Sequence, residues 1–286
     1  MKLDGKTRVF GLFGDPVEHS LSPIIQNAGF HAAKLNCCYL PFKVARENLT
    51  ASVQAITALN VSGVNVTAPH KETITSLLHN LSQEAALLGA VNTIKNEKHI
   101  LLGFNTDVEG FTYLLKRNVR INEDKKEYVC MLGAGGAAKA VSLALSNISM
   151  TKLVIANRTA RKAEELAELL LKHNKITRDQ INLVPLNIDV LNPFIQRSTI
   201  LINALSNDPW DWNSLRKMNI SQDGYAIDLR YKPIETSFLS WTKKNGAKGI
   251  NGLDMLLGQG IKAFEIFTGK KAPVSAMEEA LSGALN

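Results

Sequence analysis

Lys71 stands in the stretch GVNVTAPHKET, residues 63 to 73, behind a β-branched run and a proline and among Asn65, Thr67 and His70. A lysine side chain is costly to immobilise, so a stiff backbone leading into it implies a cation placed for use. A fixed ammonium can hand a proton to an oxygen or hold the negative charge that develops there. Asp107, at the end of GFNTD, could cap the helix that follows. Ser20 and Ser22 in GDPVEHSLSP come just before Pro23, which is expected at a first helical position, with Ser22 as the N-cap. A serine pair beside a helix N-terminus is also a neutral site for a small carboxylate. Asn65 and Asn92 could satisfy turn backbone, and Gln259 could face solvent from a helix.

A second group of residues suits anion binding. EYVCMLGAGGAAKAVSLAL reads as a strand, then Gly133, Ala134, Gly135, Gly136, Ala137 and Ala138, then a helix, which is the G-x-G-x-x-G/A context of a dinucleotide fold. Glycine permits positive φ and close approach of a pyrophosphate, while the helix start supplies N–H donors and partial positive charge. No G-K-[ST] follows, which argues against a P-loop NTPase. Where an NAD-binding fold carries its ribose carboxylate, this chain has Asn157, Arg158 and Thr159, followed by Arg161 and Lys162. An arginine there can pair with a 2′-phosphate, which favours NADP; Thr159 is alternatively the cap of a solvated helix.

Positioning these residues takes more than one compact body. The chain has 286 residues, 45% of them hydrophobic, which suggests two domains with a sizeable core. RVFGLFG, CCYLPFKV, SGVNVT, YVCMLG, KLVIAN, STILINAL and GYAIDL read as strands, with helical segments such as 23–34, 136–147 and 160–173 between them. That alternation predicts an α/β protein whose parallel sheets are covered by helices. The charged stretch LKRNVRINEDKKEY marks a seam before a fresh βα unit. Near the end, Leu253, Leu256, Leu257, Ile261, Phe264 and Phe267 recur at helical spacing up to Gly269, and a last helix is expected from Pro273 to about Ala284.

The 33 basic and 26 acidic residues give a net charge of +7, but basic residues are interleaved with acids and no basic helix face or aromatic platform appears, so no nucleic-acid role is expected. No long uncharged apolar run occurs and MKLDGKTRVFGLFG does not read as a signal peptide, so no membrane partner and a cytoplasmic location are expected. Cys37, Cys38 and Cys130 fit buried thiols, and the spacing of His19, His31, His79 and the cysteines matches no metal site.

The motifs GDPVEHSLSP, NVTAPHKE, GAVNTI, GFNTD, GAGGAAKA, NRT, INALS, DLRYKP and NGLDMLLGQG, in that order, make the chain similar to the shikimate dehydrogenases over nearly its whole length. The resemblance implies a substrate-binding α/β domain at 1–106, completed by C-terminal helices at 251–286, a Rossmann NADP domain at 107–250, and an active site in the cleft between them. It implies reversible NADP-dependent reduction of 3-dehydroshikimate to shikimate, in a monomer or homodimer. Lys71 and Asp107 would be the catalytic pair. Ser20 and Ser22 would hold the substrate carboxylate with Tyr231 nearby, and Asn65, Thr67, Asn92, Asp107 and Gln259 would surround the ring hydroxyls and reacting oxygen. The cofactor would lie on residues 133–137, on Asn157, Arg158, Thr159 and Lys162, and on Gly252. A quinate or shikimate dehydrogenase of broader specificity, with NAD as an option, and a non-catalytic NADP or metabolite sensor are the rival readings. Two departures from the family pattern stand out: Gln26 replaces a usual histidine, and INALSNDPW lacks the usual Asn-Ala-Thr-Ser followed by glycine. Trp210 and Trp212 are expected to pack in a core or to cover the cofactor.

Overall fold

A computed structural model describes residues 3–121, 126–215, 220–221 and 224–285. Residues 122–125 of the expected seam lie outside the described residues. The chain divides into two compact units, Met1–Gly110 with Leu256–Asn286, and Phe111–Met255.

In the first unit, β1 (Arg8–Gly14), α1 (Ser22–Ala32), β2 (Cys37–Lys43), α2 (Leu49–Ala58), β3 (Gly63–Val66), β4 (Asn80–Leu81), α3 (Gln83–Leu88), β5 (Thr93–Glu97) and β6 (Ile100–Phe104) follow in order. Their sheet runs β2-β1-β3-β5-β6-β4. It is mixed rather than wholly parallel, because β5 is antiparallel to both β3 and β6. The β5–β6 hairpin turns through Lys98 and His99, both at positive φ, without the Asn-Gly or Asp-Gly pair that advertises such a turn. One face of the sheet carries Phe13, Val64, Val66 and Ile94 against Val53 and Ile56 of α2. On the other, Phe10 stacks with Phe30 and Phe267, and Phe30 with Phe264.

Phe264 and Phe267 lie on α9 (Leu253–Thr268), which from Leu256 onward belongs to this unit, as does α10 (Val274–Gly283). The helix stops where Gly269 turns left-handed, at φ 67°. Pro273 occupies the cap of α10 rather than its first turn. Helix α4 (Asp107–Asn118) leaves the first unit after Gly110.

In the second unit, β7 (Glu127–Leu132), α5 (Gly136–Leu145), β8 (Met150–Asn157), α6 (Ala160–Lys172), β9 (Ile181–Pro185), α7 (Ile188–Arg197), β10 (Ile200–Asn203), β11 (Tyr225–Asp228), α8 (Ser237–Lys244) and β12 (Lys248–Ile250) build one sheet, ordered β12-β11-β10-β7-β8-β9. Every pairing is parallel. That order is the doubly wound dinucleotide arrangement, with its switch point between β7 and β10. The central strands read as continuous apolar runs because helices cover both faces, and Val129, Leu153, Ile155 and Leu201 have no exposed surface. Trp212 is completely buried against Phe238 and Trp241, so core packing accounts for it. No helix among the described residues is long and apolar enough to cross a membrane.

Candidate active site

Lys71 lies just past the C-terminal end of β3. His70 precedes it, is 1% exposed, and sets its Nε2 2.6 Å from the Val44 carbonyl. The Lys71 carbonyl accepts from the Val91 N–H at 2.8 Å, and Ile74 N–H donates to the His70 carbonyl to open a 3₁₀ turn. The backbone at Lys71 is therefore anchored on both sides. His70 is this anchor, a role that its place in the sequence did not reveal.

The lysine Nζ donates to Asp107 Oδ2 at 2.7 Å, with the lysine side chain 30% exposed and the aspartate 9%. Asp107 is the first residue of α4. Its carboxylate does not cap the helix; Asn105 Oδ1 accepts from the Asp107 N–H instead, which an Asn two residues before a helix start could have signalled. The second carboxylate oxygen accepts from Asn92 Nδ2 at 2.8 Å. Asn92 is 2% exposed and also gives a proton to Thr106 Oγ1, while its Oδ1 accepts from the Thr106 N–H and the Thr93 hydroxyl. Asn65 is 6% exposed, donates to the Asn92 carbonyl and to Thr93 Oγ1, and accepts from the Tyr39 hydroxyl. Thus both amide protons of each asparagine are used inside the protein, and a carboxylate and an ammonium face each other at the exposed end. Two residues along α4, burial first and Glu84 second hold the Glu109 carboxyl above its ordinary range.

Ser20, Ser22, Thr67 and Gln259 belong to the same unit but stand outside this hydrogen-bonded set. The structure places Leu21 at the α1 cap and Ser22 as the first helical residue, so Ser22 is not the cap. Ser20 Oγ instead accepts from the Ser22 N–H at 3.2 Å, taking the local backbone role. Gly14 lies so close to Thr67 that a Cβ on it would come 2.3 Å from the threonine Cγ2. Gln259, half-buried on α9, returns its Nε2 to the Leu256 carbonyl at 2.8 Å. Tyr231 lies in the second unit, where burial pushes its phenol above the ordinary value and keeps it a neutral donor.

The second unit carries a site of different character. Gly133 takes φ 107° and sends its N–H to the Ala156 carbonyl at 2.7 Å, and a Cβ there would meet the Ala204 carbonyl oxygen at 3.1 Å. Only glycine fits this turn without strain. Gly135 has an ordinary φ of −85° and open space where its Cβ would be, so its use is the room above it. Helix α5 begins with no side-chain cap, and Gly135 and Ala137 are exposed, which leaves its first N–H groups available to an anion. A dinucleotide pyrophosphate fits that cradle, with Ala134 buried beneath it. At the end of β8, Asn157 Nδ2 donates to the Thr159 carbonyl and closes the turn, while the Thr159 side chain makes no capping bond. Arg161 is spent on Glu165 at 2.9 Å, but Arg158 and Lys162 are exposed, and neither makes an ion pair among the described residues. Gly252 has a backbone reason to be glycine: a Cβ would come 2.0 Å from the Leu229 carbonyl oxygen.

Three family models match consecutive parts of the chain: Shikimate dehydrogenase substrate binding domain over residues 12–94, Shikimate / quinate 5-dehydrogenase over 114–209, and Shikimate 5′-dehydrogenase C-terminal domain over 252–281. A shikimate dehydrogenase (NADP(+)) of Caldanaerobacter subterraneus subsp. tengcongensis is 42% identical over 94% of this chain and 95% of its own length. The chain belongs to the shikimate dehydrogenase family. A solved family structure in complex with NADP+ superposes with a TM-score of 0.86 at 38% identity, covering 100% of this chain and 98% of that one. The Thermus thermophilus enzyme, solved with NADP(H) and shikimate, gives 0.81 at 33% identity, over 98% and 100% of the two chains.

Against the family pattern, the two departures have local explanations. Gln26 is 1% exposed and donates to the Gly260 carbonyl at 2.8 Å, tying α1 to α9, while its Oε1 has no partner among the described residues. In INALSNDPW, Asp208 gathers the Trp212 indole N–H at 2.9 Å, the Ser237 hydroxyl at 2.7 Å and Arg230 at 2.7 Å. Arg230 also pairs with the fully buried Asp228 at 2.8 Å. A carboxylate hub thus fastens the loop that lacks the family's glycine.

Proposed function

We propose that this chain catalyses the reversible, NADP-dependent reduction of 3-dehydroshikimate to shikimate. The observation that carries the reading is the Lys71–Asp107 pair, oriented by Asn92 within a chain of this family. NADP, when bound, supplies or accepts the hydride at the ring carbon. Residues 133–137 hold its pyrophosphate, Arg158 and Lys162 its 2′-phosphate, and Asn157 and Thr159 shape the turn that presents them. Lys71 donates to the carbonyl oxygen as negative charge develops there, so the proton and the charge are met at one atom. Asp107 keeps the lysine aligned and accepts from the same hydroxyl in the reverse direction. Ser20 and Ser22 bind the substrate carboxylate with neutral donors, helped by Tyr231, and Thr67 and Gln259 reach the ring hydroxyls. Asn65, whose amide protons are already committed, keeps one oxygen lone pair for the ring, and Asn92, whose Oδ1 already accepts from Thr93 and Thr106, serves the site through Asp107.

The test is oxidation followed by nicotinamide absorbance, with shikimate and quinate each tried against NADP and NAD. Turnover concentrated on shikimate with NADP is expected. Comparable efficiency with quinate or with NAD would replace this reading by a broader specificity, and cofactor binding without any turnover would abolish it.

A further inference from the structure

We infer that Thr93, with Tyr39 behind it, is a positioning residue for this reaction: the two hydroxyls fix the amides of Asn65 and Asn92 and, through Asn92, the carboxylate that faces Lys71. The inference rests on the reading above, in which Lys71 and Asp107 act on the substrate. Thr93 is 0% exposed and Tyr39 1%, so neither hydroxyl touches solvent, and a buried hydroxyl is costly unless it is bonded. The strand register sets Thr93 directly opposite Asn65 across β3 and β5, so the two side chains share one face of the sheet.

Proton accounting gives the path a direction. Burial holds the Tyr39 phenol well above its ordinary value, so it stays a donor, and its one proton goes to Asn65 Oδ1 at 2.8 Å. Asn65 Nδ2 then gives its protons to the Asn92 carbonyl at 3.1 Å and to Thr93 Oγ1 at 2.9 Å. Thr93 Oγ1 has become an acceptor there, and its single proton goes to Asn92 Oδ1 at 3.0 Å. Asn92 Nδ2 is thereby turned toward Asp107 Oδ1, at 2.8 Å, and Asp107 Oδ2 is left for Lys71. Reversing the Asn92 amide would set its N–H groups against the Thr106 backbone N–H, which donates to Oδ1 at 2.9 Å. One arrangement closes the set, and among the described residues Thr93 is the side chain in it that bonds to both asparagines.

The experiment compares T93V, T93S, Y39F and the T93V/Y39F double variant in shikimate oxidation at saturating NADP, with the melting temperature of each. Valine keeps the shape of threonine but strands an Asn65 donor and removes a donor from Asn92. T93V is expected to lower kcat about tenfold and raise KM for shikimate, with KM for NADP unchanged. T93S keeps the hydroxyl and should stay within about twofold of the parent, while Y39F should raise KM for shikimate more than it lowers kcat. Because both changes cut one chain, the double variant should be no worse than T93V alone. Parental kinetics in T93V, a loss in T93S as large as in T93V, or losses that multiply in the double variant would each overturn the inference. Should T93V fail to fold, T93S and Y39F decide the matter, and parental KM in Y39F overturns it. Lys71→Ala is run alongside: retained turnover there sinks the catalytic reading itself, whereas an inactive Lys71→Ala beside an unaffected T93V sinks only the role given to Thr93.

Discussion

Replacing Arg158 by alanine should cost the enzyme its NADP and leave NAD nearly untouched. The side chain is exposed just past the end of β8 and makes no ion pair among the described residues. Binding a 2′-phosphate therefore breaks no existing ion pair, and the whole interaction appears in the affinity. Hydrogen bonds to charged groups contribute about 1.5–3 kcal/mol, and each 1.4 kcal/mol is about tenfold, so the loss lies between about 10- and 150-fold. Exposure and salt screening place it toward the lower end, about 10- to 30-fold in KM for NADP. With NAD, which has no phosphate there, kcat/KM should move less than about twofold. Arg158→Asp should discriminate further by repulsion, and raising the ionic strength should erode the preference of the parent more than that of Arg158→Ala, which keeps Lys162. Since the side chain is exposed and makes no ion pair among the described residues, the melting temperature should shift by no more than about 2 °C. The assay is steady-state shikimate oxidation with each cofactor at two salt concentrations. Equal losses with NADP and NAD, or none with either, would refute the assignment of the phosphate pocket.

Lys71→Ala should cut turnover by about 10²–10³-fold with KM for NADP and the melting curve near those of the parent, since the lost group acts on transition-state charge; turnover within about threefold of the parent would remove Lys71 from the chemistry. Gly252→Ala should destabilise by about 1–3 kcal/mol or more, because its Cβ would sit 2.0 Å from the Leu229 carbonyl oxygen, and an unchanged urea midpoint would contradict that geometry. Gly133→Ala should cost about 1–3 kcal/mol from its positive φ and weaken NADP binding as well, which isothermal titration would show; unchanged affinity would detach this turn from the cofactor. Cys130, whose thiol burial pushes up to about 12, stays protonated at pH 8, so a thiol reagent at that pH should label it only after unfolding. Labelling at native rates would mean that the β7 core opens.

Legibility followed the physics of each segment. The strands of the second unit were readable because a parallel sheet buried on both faces spells apolar runs, as in YVCML and KLVIAN. The β5–β6 hairpin was not, since TIKNE carries its polar residues on a half-covered strand and the turn uses Lys98 and His99. β12 has three residues and β9 ends on a proline at the sheet edge, both too slight for periodicity to register. At the site, Lys71 and the glycine turn stood out by residue type, whereas Asp107 entered only through the family resemblance. The assignment of the cap to Ser22 failed because Ser20 and Ser22 offer the same chemistry two residues apart, and only the backbone decides which oxygen meets an N–H. His70 and Thr93 were silent for a different reason: what defines them is a carbonyl or an amide brought from a distant part of the chain.

The two units solve opposite problems with their polar groups. In the first, Asn65, Asn92 and Thr93 bond to one another and to Tyr39, so the atoms that align Asp107 and Lys71 are fixed by the fold alone. Such a site loses little orientation entropy when a small, rigid ring binds, and its residual lone pairs and ammonium are aimed before any ligand arrives. In the second, the start of α5 has no side-chain cap and Arg158 has no carboxylate partner among the described residues, so donors stand ready for a ligand that carries its own negative charge. A phosphate repays the solvent it displaces through charge, whereas a ring hydroxyl offers one proton and two lone pairs and gains only where its partners already point at it. The rigidity of the Lys71 neighbourhood and the openness of the glycine turn are thus each matched to the ligand chemistry proposed for them.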